Sequence, residues 1–348
     1  MGADMQKPRR LRAGDTIAAV SLSWGGLGDP GLIHRYRIAE RRLFEEFGLR
    51  LRPMPSALAG SEFVAAHPEL RAKDLNDAFR DDSIAGIFCA IGGDDTIRIL
   101  PYVDFDVIRA HPKVFMGYSD STIDHFILYK AGVNSFYGPA LMSEFGEYVH
   151  MSDYTASAVR TMLFEDSNGC RIAPSPVWSD DHIEWNEKNV GVAKSYRPDT
   201  HGYELLQGSG VVRGHLLGGC IDVFMMAVGT EIWPTLDQWR GAIMFIETSE
   251  DKPSPDFVRW TLRNLAAQGI LAALSAIIVG KPQDEAYYEE YKRAILDVVS
   301  HEEHLYELPV MYNLNFGHAS PIGVLPIGIM AELDCGAKTL TLLESAAV

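Results

Sequence analysis

Through the first 131 residues, short apolar runs alternate with stretches whose apolar positions recur at helical spacing. Thr16 to Ser21 reads as a strand, Arg35 to Phe47 as an amphipathic helix, Leu49 to Pro53 as extended chain and Glu69 to Phe79 as a helix. Gly86 to Ile91 follows as a buried strand, Ile97 to Leu100 opens a helix, Val114 to Met116 is a strand and Ile123 to Ala131 a helix. Strand and helix in strict alternation predict an α/β fold: a mainly parallel, flavodoxin- or Rossmann-like sheet with helices on both faces. Ligands of such sheets gather at the carboxyl ends of the strands. Three turns leave those ends: Ser21 to Gly26, Gly92 to Asp95, and Gly117 to Ser121.

From about Ser152 to Gly208 the periodicity degrades into a polar stretch containing Trp178 and Trp185, which reads as a linker plus a long surface loop. Beyond it, Gly210 to Leu217, Ala242 to Glu247, Ala276 to Gly280, Val310 to Asn313 and Leu340 to Leu343 look like strands. Pro255 to Gln268 and Ala286 to Val299 look like helices. The expected division is an N-terminal α/β domain over 1–150, a linker and loop over 151–208, and a smaller mixed α/β domain with a mainly β core over 209–348.

Composition narrows the classes. The 348 residues suffice for two domains, and 47% hydrophobic with 22% charged residues is ordinary for a globular chain. A formal charge of -16 argues against binding a nucleic-acid polymer, whose affinity rests on lysine and arginine. No apolar run nears the roughly 20 residues of a membrane span; the best, Ile270 to Val279, is half that. The first ten residues lack the apolar region of a secretory signal, and Gln6 stands where myristoylation wants serine or threonine. Cys89, Cys170, Cys220 and Cys335 are widely spaced, which suits reduced thiols in a cytoplasm. No membrane association is expected.

The segment Val114 to Tyr129 carries the most specific chemistry. An apolar run ends at Gly117, Ser119 sits at the corner, and helical spacing follows, as in a nucleophile elbow. The free N–H groups of a helix's first turn would then serve as an oxyanion hole. The second glycine of G-x-S-x-G is missing, and serine at a helix start also reads as an N-cap.

A serine nucleophile needs a base, and the base an orienting acid. Of the 11 histidines, His318 has the most suggestive setting, leaving an apolar strand for a loop between Gly317 and Pro321. His125, six residues after Ser119, should point away from the elbow as a surface or core residue. Glu247 ends a hydrophobic strand, where an unpaired carboxylate is costly, while Glu250 and Asp251 read as solvated or as capping the helix near Pro255. No metal or cofactor is expected: His301 and His304 have the wrong spacing for zinc, and no G-x-G-x-x-G follows a first strand.

Gly92-Gly93, Leu100-Pro101-Tyr102, the Gly117 to Asp120 elbow, Gly218-Gly219, Phe245-Ile246-Glu247 and Phe316-Gly317-His318 occur in an order that resembles the LD-carboxypeptidase family of serine peptidases. The resemblance spans nearly the whole chain. It implies a triad of Ser119, Glu247 and His318, oxyanion donors at the N–H groups of Gly93 and Asp120, and a homodimer. Thr248 to Pro253 and the tryptophan-containing loop are more similar to the microcin C immunity branch than to murein-recycling enzymes. That branch implies cleavage of an amide joining a peptide or amino acid to an adenylate-like group, with Trp185 or Trp178 stacking on the base and Gly92 and Cys220 near the substrate. Cys220 stands where many relatives have asparagine. A murein tetrapeptide L,D-carboxypeptidase is the alternative within the same chemistry, and a non-catalytic two-lobed binding protein the alternative outside it.

Overall fold

In a computed structural model the chain is described from residue 5 to 348. Met1 to Asp4, which include the glycine of the rejected myristoylation pattern, lie outside the described residues. Two sheets organise the molecule. The first has six strands in the order Leu325–Ile327, Ser135–Tyr137, Val114–Gly117, Ile84–Cys89, Thr16–Val20, Arg50–Pro53. The last five are mutually parallel, and Leu325–Ile327 adds antiparallel to Ser135–Tyr137. Ile84–Cys89 is buried at every position, which is why it reads as an unbroken apolar run.

The helices around this sheet end where their sequences dictate. Ile33–Phe47 stops at Gly48 and Thr122–Ala131 at Gly132, both left-handed at φ 68° and 80°, a conformation glycine adopts without strain. Ile97 to Leu100 forms a tighter 3-10 segment, Thr96–Tyr102, around Pro101.

The second sheet is mixed. Its order is Arg171–Ile172, Thr339–Leu342, Met330–Asp334, Val211–Cys220, Ile243–Glu247, Ala276–Gly280, Val310–Leu314, Glu204–Gln207. The four strands from Val211–Cys220 to Val310–Leu314 are parallel and the outer pairings antiparallel. Helix Pro255–Ala267, capped by the Ser254 side chain with proline at its first position, and helix Tyr288–Leu296 lie in the last two crossovers between these strands, and Ile221–Ala227 lies in the first.

The segment expected to be linker and loop is more structured than its pattern implies. It holds helix Asp153–Leu163, supplies both edge strands of the second sheet, and pairs Val177–Trp178 with Arg197–Pro198. The strands, of two to four residues, are too short to display periodicity, whereas helix Asp153–Leu163 buries Thr155, Ala156, Val159, Met162 and Leu163 at helical spacing and is legible in the pattern. Among the described residues no helix is long and apolar enough to cross a membrane.

Candidate functional site

Strand ends from both sheets converge on one place. Ser119 follows Val114–Gly117, Gly92 and Gly93 follow Ile84–Cys89, Trp24 follows Thr16–Val20, Glu247 ends Ile243–Glu247, and His318 lies just past Val310–Leu314. Ser119, Gly92, Gly93, Trp24, Trp185 and His318 line one cavity of about 550 Å³. A larger cavity of about 620 Å³ against helix Asp153–Leu163 has none of these in its walls, so chemistry rather than size singles out the first.

Ser119 does not cap the helix that follows it. Its φ is 64°, and the N-cap position of helix Thr122–Ala131 falls to Ser121. Left-handed backbone at a non-glycine residue costs roughly 1 kcal/mol and persists only where its surroundings enforce it. The Ser119 N–H donates to Tyr137 Oη at 3.1 Å. A Cβ on Gly92 would lie 2.7 Å from Ser119 Cβ, so only glycine lets the two turns touch. Among the described residues no turn, loop or cap carbonyl takes up the N–H of Gly93 or Asp120.

A buried cation ties the turns together. Arg71, 0% exposed, donates to the carbonyls of Leu22 and Ser23 and to Asp95. Asp120 Oδ2 accepts from Ser23 Oγ at 2.7 Å and from the Thr96 N–H at 2.8 Å. Sequence reasoning missed Arg71, because a lone arginine on a helix carries no signal until its partners are placed.

Glu247 is buried and fully engaged. Oε1 accepts from Tyr137 Oη at 2.5 Å and Oε2 from His318 Nδ1 at 2.8 Å. Tyr137 thus bridges Glu247 to the backbone of Ser119. A Cβ on Gly317, whose φ is 88°, would press to 2.5 Å from the Glu247 carboxyl carbon. The Tyr118 and His318 rings meet in a T-shaped contact, centroids 5.0 Å apart.

The other face of His318 meets Glu250. Its side chain is solvent-exposed, in keeping with its reading as a solvated acid, and its Oε2 also lies 2.9 Å from His318 Nε2, in ion-pair contact though off hydrogen-bond direction, a contact that the sequence reading did not foresee. Burial disfavours the imidazolium, but the Glu247 and Glu250 carboxylates outweigh it and push His318 up to about 10. Contact with His318 holds Glu250 down at about 2.

Cys220 Sγ, a Glu247 oxygen and a His318 nitrogen lie within 4.8 Å of one another. Glu247 is already shared between Tyr137 and His318, and the Cys220 thiol, pushed up by burial and then by Glu247, donates to Asp222. An ion there would have to displace these bonds. Cys220 is fully buried beneath the site and lines neither cavity at His318.

The two tryptophans separate cleanly. Trp185 lines the cavity, with the Arg35 guanidinium 4.8 Å from its ring centroid. Trp178 is buried away from it, with Arg197 at 4.4 Å and Lys281 at 4.7 Å from its ring, and lines neither cavity at His318. Trp24, 40% exposed in the first of the three turns, lines the cavity and was not singled out by the sequence. His125 is a core residue: Nε2 donates to the Gly117 carbonyl, Nδ1 accepts from Ser135 Oγ, and burial drops it to about 4.

Comparison with known proteins gives this arrangement a context. The N-terminal LD-carboxypeptidase domain matches residues 17–138 and the C-terminal domain residues 213–333. The chain is 32% identical to the Microcin C7 self-immunity protein MccF of Escherichia coli over 79% of its length and 78% of that protein's. MccF in complex with aspartyl sulfamoyl adenosine superposes with a TM-score of 0.82 at 27% identity, over 99% of this chain and 100% of that one. A probable murein peptide carboxypeptidase of Bacillus subtilis is 27% identical over 96% of this chain and 93% of its own. An MccF-like protein from Streptococcus pneumoniae in complex with AMP has a TM-score of 0.86 at 34% identity, covering 94% of this chain and 98% of that one. With both family domains matched in order, the chain belongs to the LD-carboxypeptidase family and is a serine carboxypeptidase.

Proposed function

We propose that the protein is a serine amide hydrolase of the microcin-immunity kind, acting on a small peptidyl- or aminoacyl-nucleotide. The observation that carries the reading is the Glu247–His318 hydrogen bond beside a left-handed Ser119 in a cavity walled by Trp24 and Trp185. Ser119 Oγ attacks the acyl carbon while its proton passes to His318 Nε2, and Glu247 holds the ring by Nδ1. The N–H groups of Gly93 and Asp120 stabilise the oxyanion. Collapse breaks the C–N bond, and His318 returns the proton to the leaving nitrogen. Water, deprotonated by His318, then frees the acid and restores Ser119.

In this reading residues 1–150 supply the nucleophile, 209–348 the acid and base, and 151–208 the Trp185 wall, on which a purine stacks. Gly92 allows the close approach of substrate to Ser119, and Cys220 tunes the floor. The enzyme works as a homodimer in the cytoplasm, without metal or cofactor.

The test offers wild-type and Ser119→Ala protein an aminoacyl sulfamoyl-adenosine and a murein tetrapeptide, with products read by mass spectrometry. Cleavage of the nucleotide by wild type alone supports the reading. Release of D-alanine alone moves the assignment to murein recycling, and cleavage of neither favours a binding protein.

A further inference from the structure

We propose that Glu250 is a latch on the active-site imidazole, released by a substrate that carries a cationic side chain near the scissile amide. The inference rests on the serine-hydrolase reading above and names its substrate class. His318 Nε2 must receive the Ser119 proton, yet it is the atom facing Glu250. The His318 side chain is 6% exposed and its Nε2 has no hydrogen-bond partner, so the ring is locked in place with one polar atom aimed into the cavity. Glu250 differs in every respect: its side chain is 62% exposed, it stands in the turn between strand Ile243–Glu247 and helix Pro255–Ala267, and it makes no other side-chain bond among the described residues. It can swing; His318 cannot.

The surroundings say what would draw it away. Glu250 lies where two cavities meet, since Tyr118, Trp185, Gln283 and His318 line both with it. Asp94 and Asp251 join it in the first cavity, Asp181 and Glu184 in the second. Apart from His318, the basic side chains there are Lys194, paired with Glu147 at 2.8 Å, and His182, in contact with the Asp284 carboxylate at 2.8 Å. An acidic side chain therefore finds no free counter-charge among the described lining residues. An ammonium or guanidinium finds Glu250. Once Glu250 turns to the substrate, the imidazolium loses one of its two carboxylates and passes its Nε2 proton to solvent. The neutral ring is then the base that Ser119 needs, so recognition and activation are one event.

The experiment compares wild type with Glu250→Gln and Glu250→Ala. One arm measures kcat/KM on lysyl- and aspartyl-sulfamoyl-adenosine, and the other the rate at which a fluorophosphonate labels Ser119. Wild type should favour the lysyl compound by about tenfold or more. Both variants should lose that preference, mainly through a higher KM for the lysyl compound, while labelling Ser119 faster than wild type. A wild-type preference for the aspartyl compound overturns the cationic class, and unchanged selectivity and labelling in both variants overturn the latch. Faster labelling with neither nucleotide cleaved keeps the latch and discards the nucleotide substrate with its cationic side chain; no labelling in any protein discards latch and serine mechanism together.

Discussion

Tyr137→Phe removes one oxygen and tests how the two sheets are coupled at the site. The hydroxyl donates to Glu247 and accepts from the Ser119 N–H, and tyrosine and glutamate are both buried. Phenylalanine keeps the ring packed against Phe245, so the loss is confined to two hydrogen bonds. A bond to a charged group contributes about 1.5–3 kcal/mol, and a buried N–H left unpaired costs about 1–3 kcal/mol. The lower ends sum to about 2.5 kcal/mol, the relevant figure because cavity water can reach Ser119 more readily than Glu247. For 348 residues the unfolding entropy is about 0.7 kcal/mol/K, so the melting temperature should fall by about 3.5 °C. Activity should fall further than stability suggests, because Glu247 loses the anchor that sets its angle to His318 and the Ser119 N–H loses the acceptor that holds its φ. We expect about 10- to 100-fold slower fluorophosphonate labelling of Ser119. Scanning calorimetry and labelling kinetics on the same preparation decide it. A variant that melts within about 1 °C of wild type and labels at the same rate would refute the idea that Tyr137 couples the acid to the elbow.

Gly92→Ala puts a methyl group 2.7 Å from Ser119 Cβ and should cut Ser119 labelling by about 100-fold or more while circular dichroism stays native; labelling at the wild-type rate would show that the elbow yields. Because the folded His318 lies above its ordinary 6.5, at about 10, its ion pairs stabilise the protein fully below about pH 6.5, and that contribution is lost as pH rises through 10. The melting temperature of wild type should therefore decline over this window more steeply than that of His318→Gln; parallel curves would contradict the assignment. The groups facing the ring are Glu247, Glu250, the Tyr118 ring and the Cys220 thiol, so Glu250→Gln should give an intermediate slope. Trp185→Ala should weaken AMP binding in calorimetric titration by roughly 1–3 kcal/mol, whereas Trp178→Ala should lower the melting temperature and leave AMP affinity intact. The reverse pattern would exchange their roles.

Much of this protein is written locally. Buried parallel strands such as Ile84–Cys89 and Ala276–Gly280 must be apolar throughout, and helices such as Ile33–Phe47 end at a glycine, so pattern alone locates them. Ser119, Glu247 and His318 also stand out locally, because each follows or ends an apolar strand that a polar residue has to leave. The sequence could not reveal Leu325–Ile327 as an edge of the first sheet, or Arg171–Ile172 and Glu204–Gln207 as edges of the second. Strands of two to four residues show no period, and their pairing is decided by partners far along the chain.

The electrostatics of the site are likewise tertiary. Arg71 is an ordinary helical arginine until the Leu22 and Asp95 turns close on it, Tyr137 a core aromatic until Glu247 arrives, and Glu250 a surface acid until the His318 loop folds against it. Trp178 and Trp185 have the same indole and both carry a cation over the ring, and only the burial of one and the cavity open to the other distinguish them. Periodicity records which face of an element is buried; the partner of a buried charge or ring is fixed by contacts between elements, which no local pattern encodes.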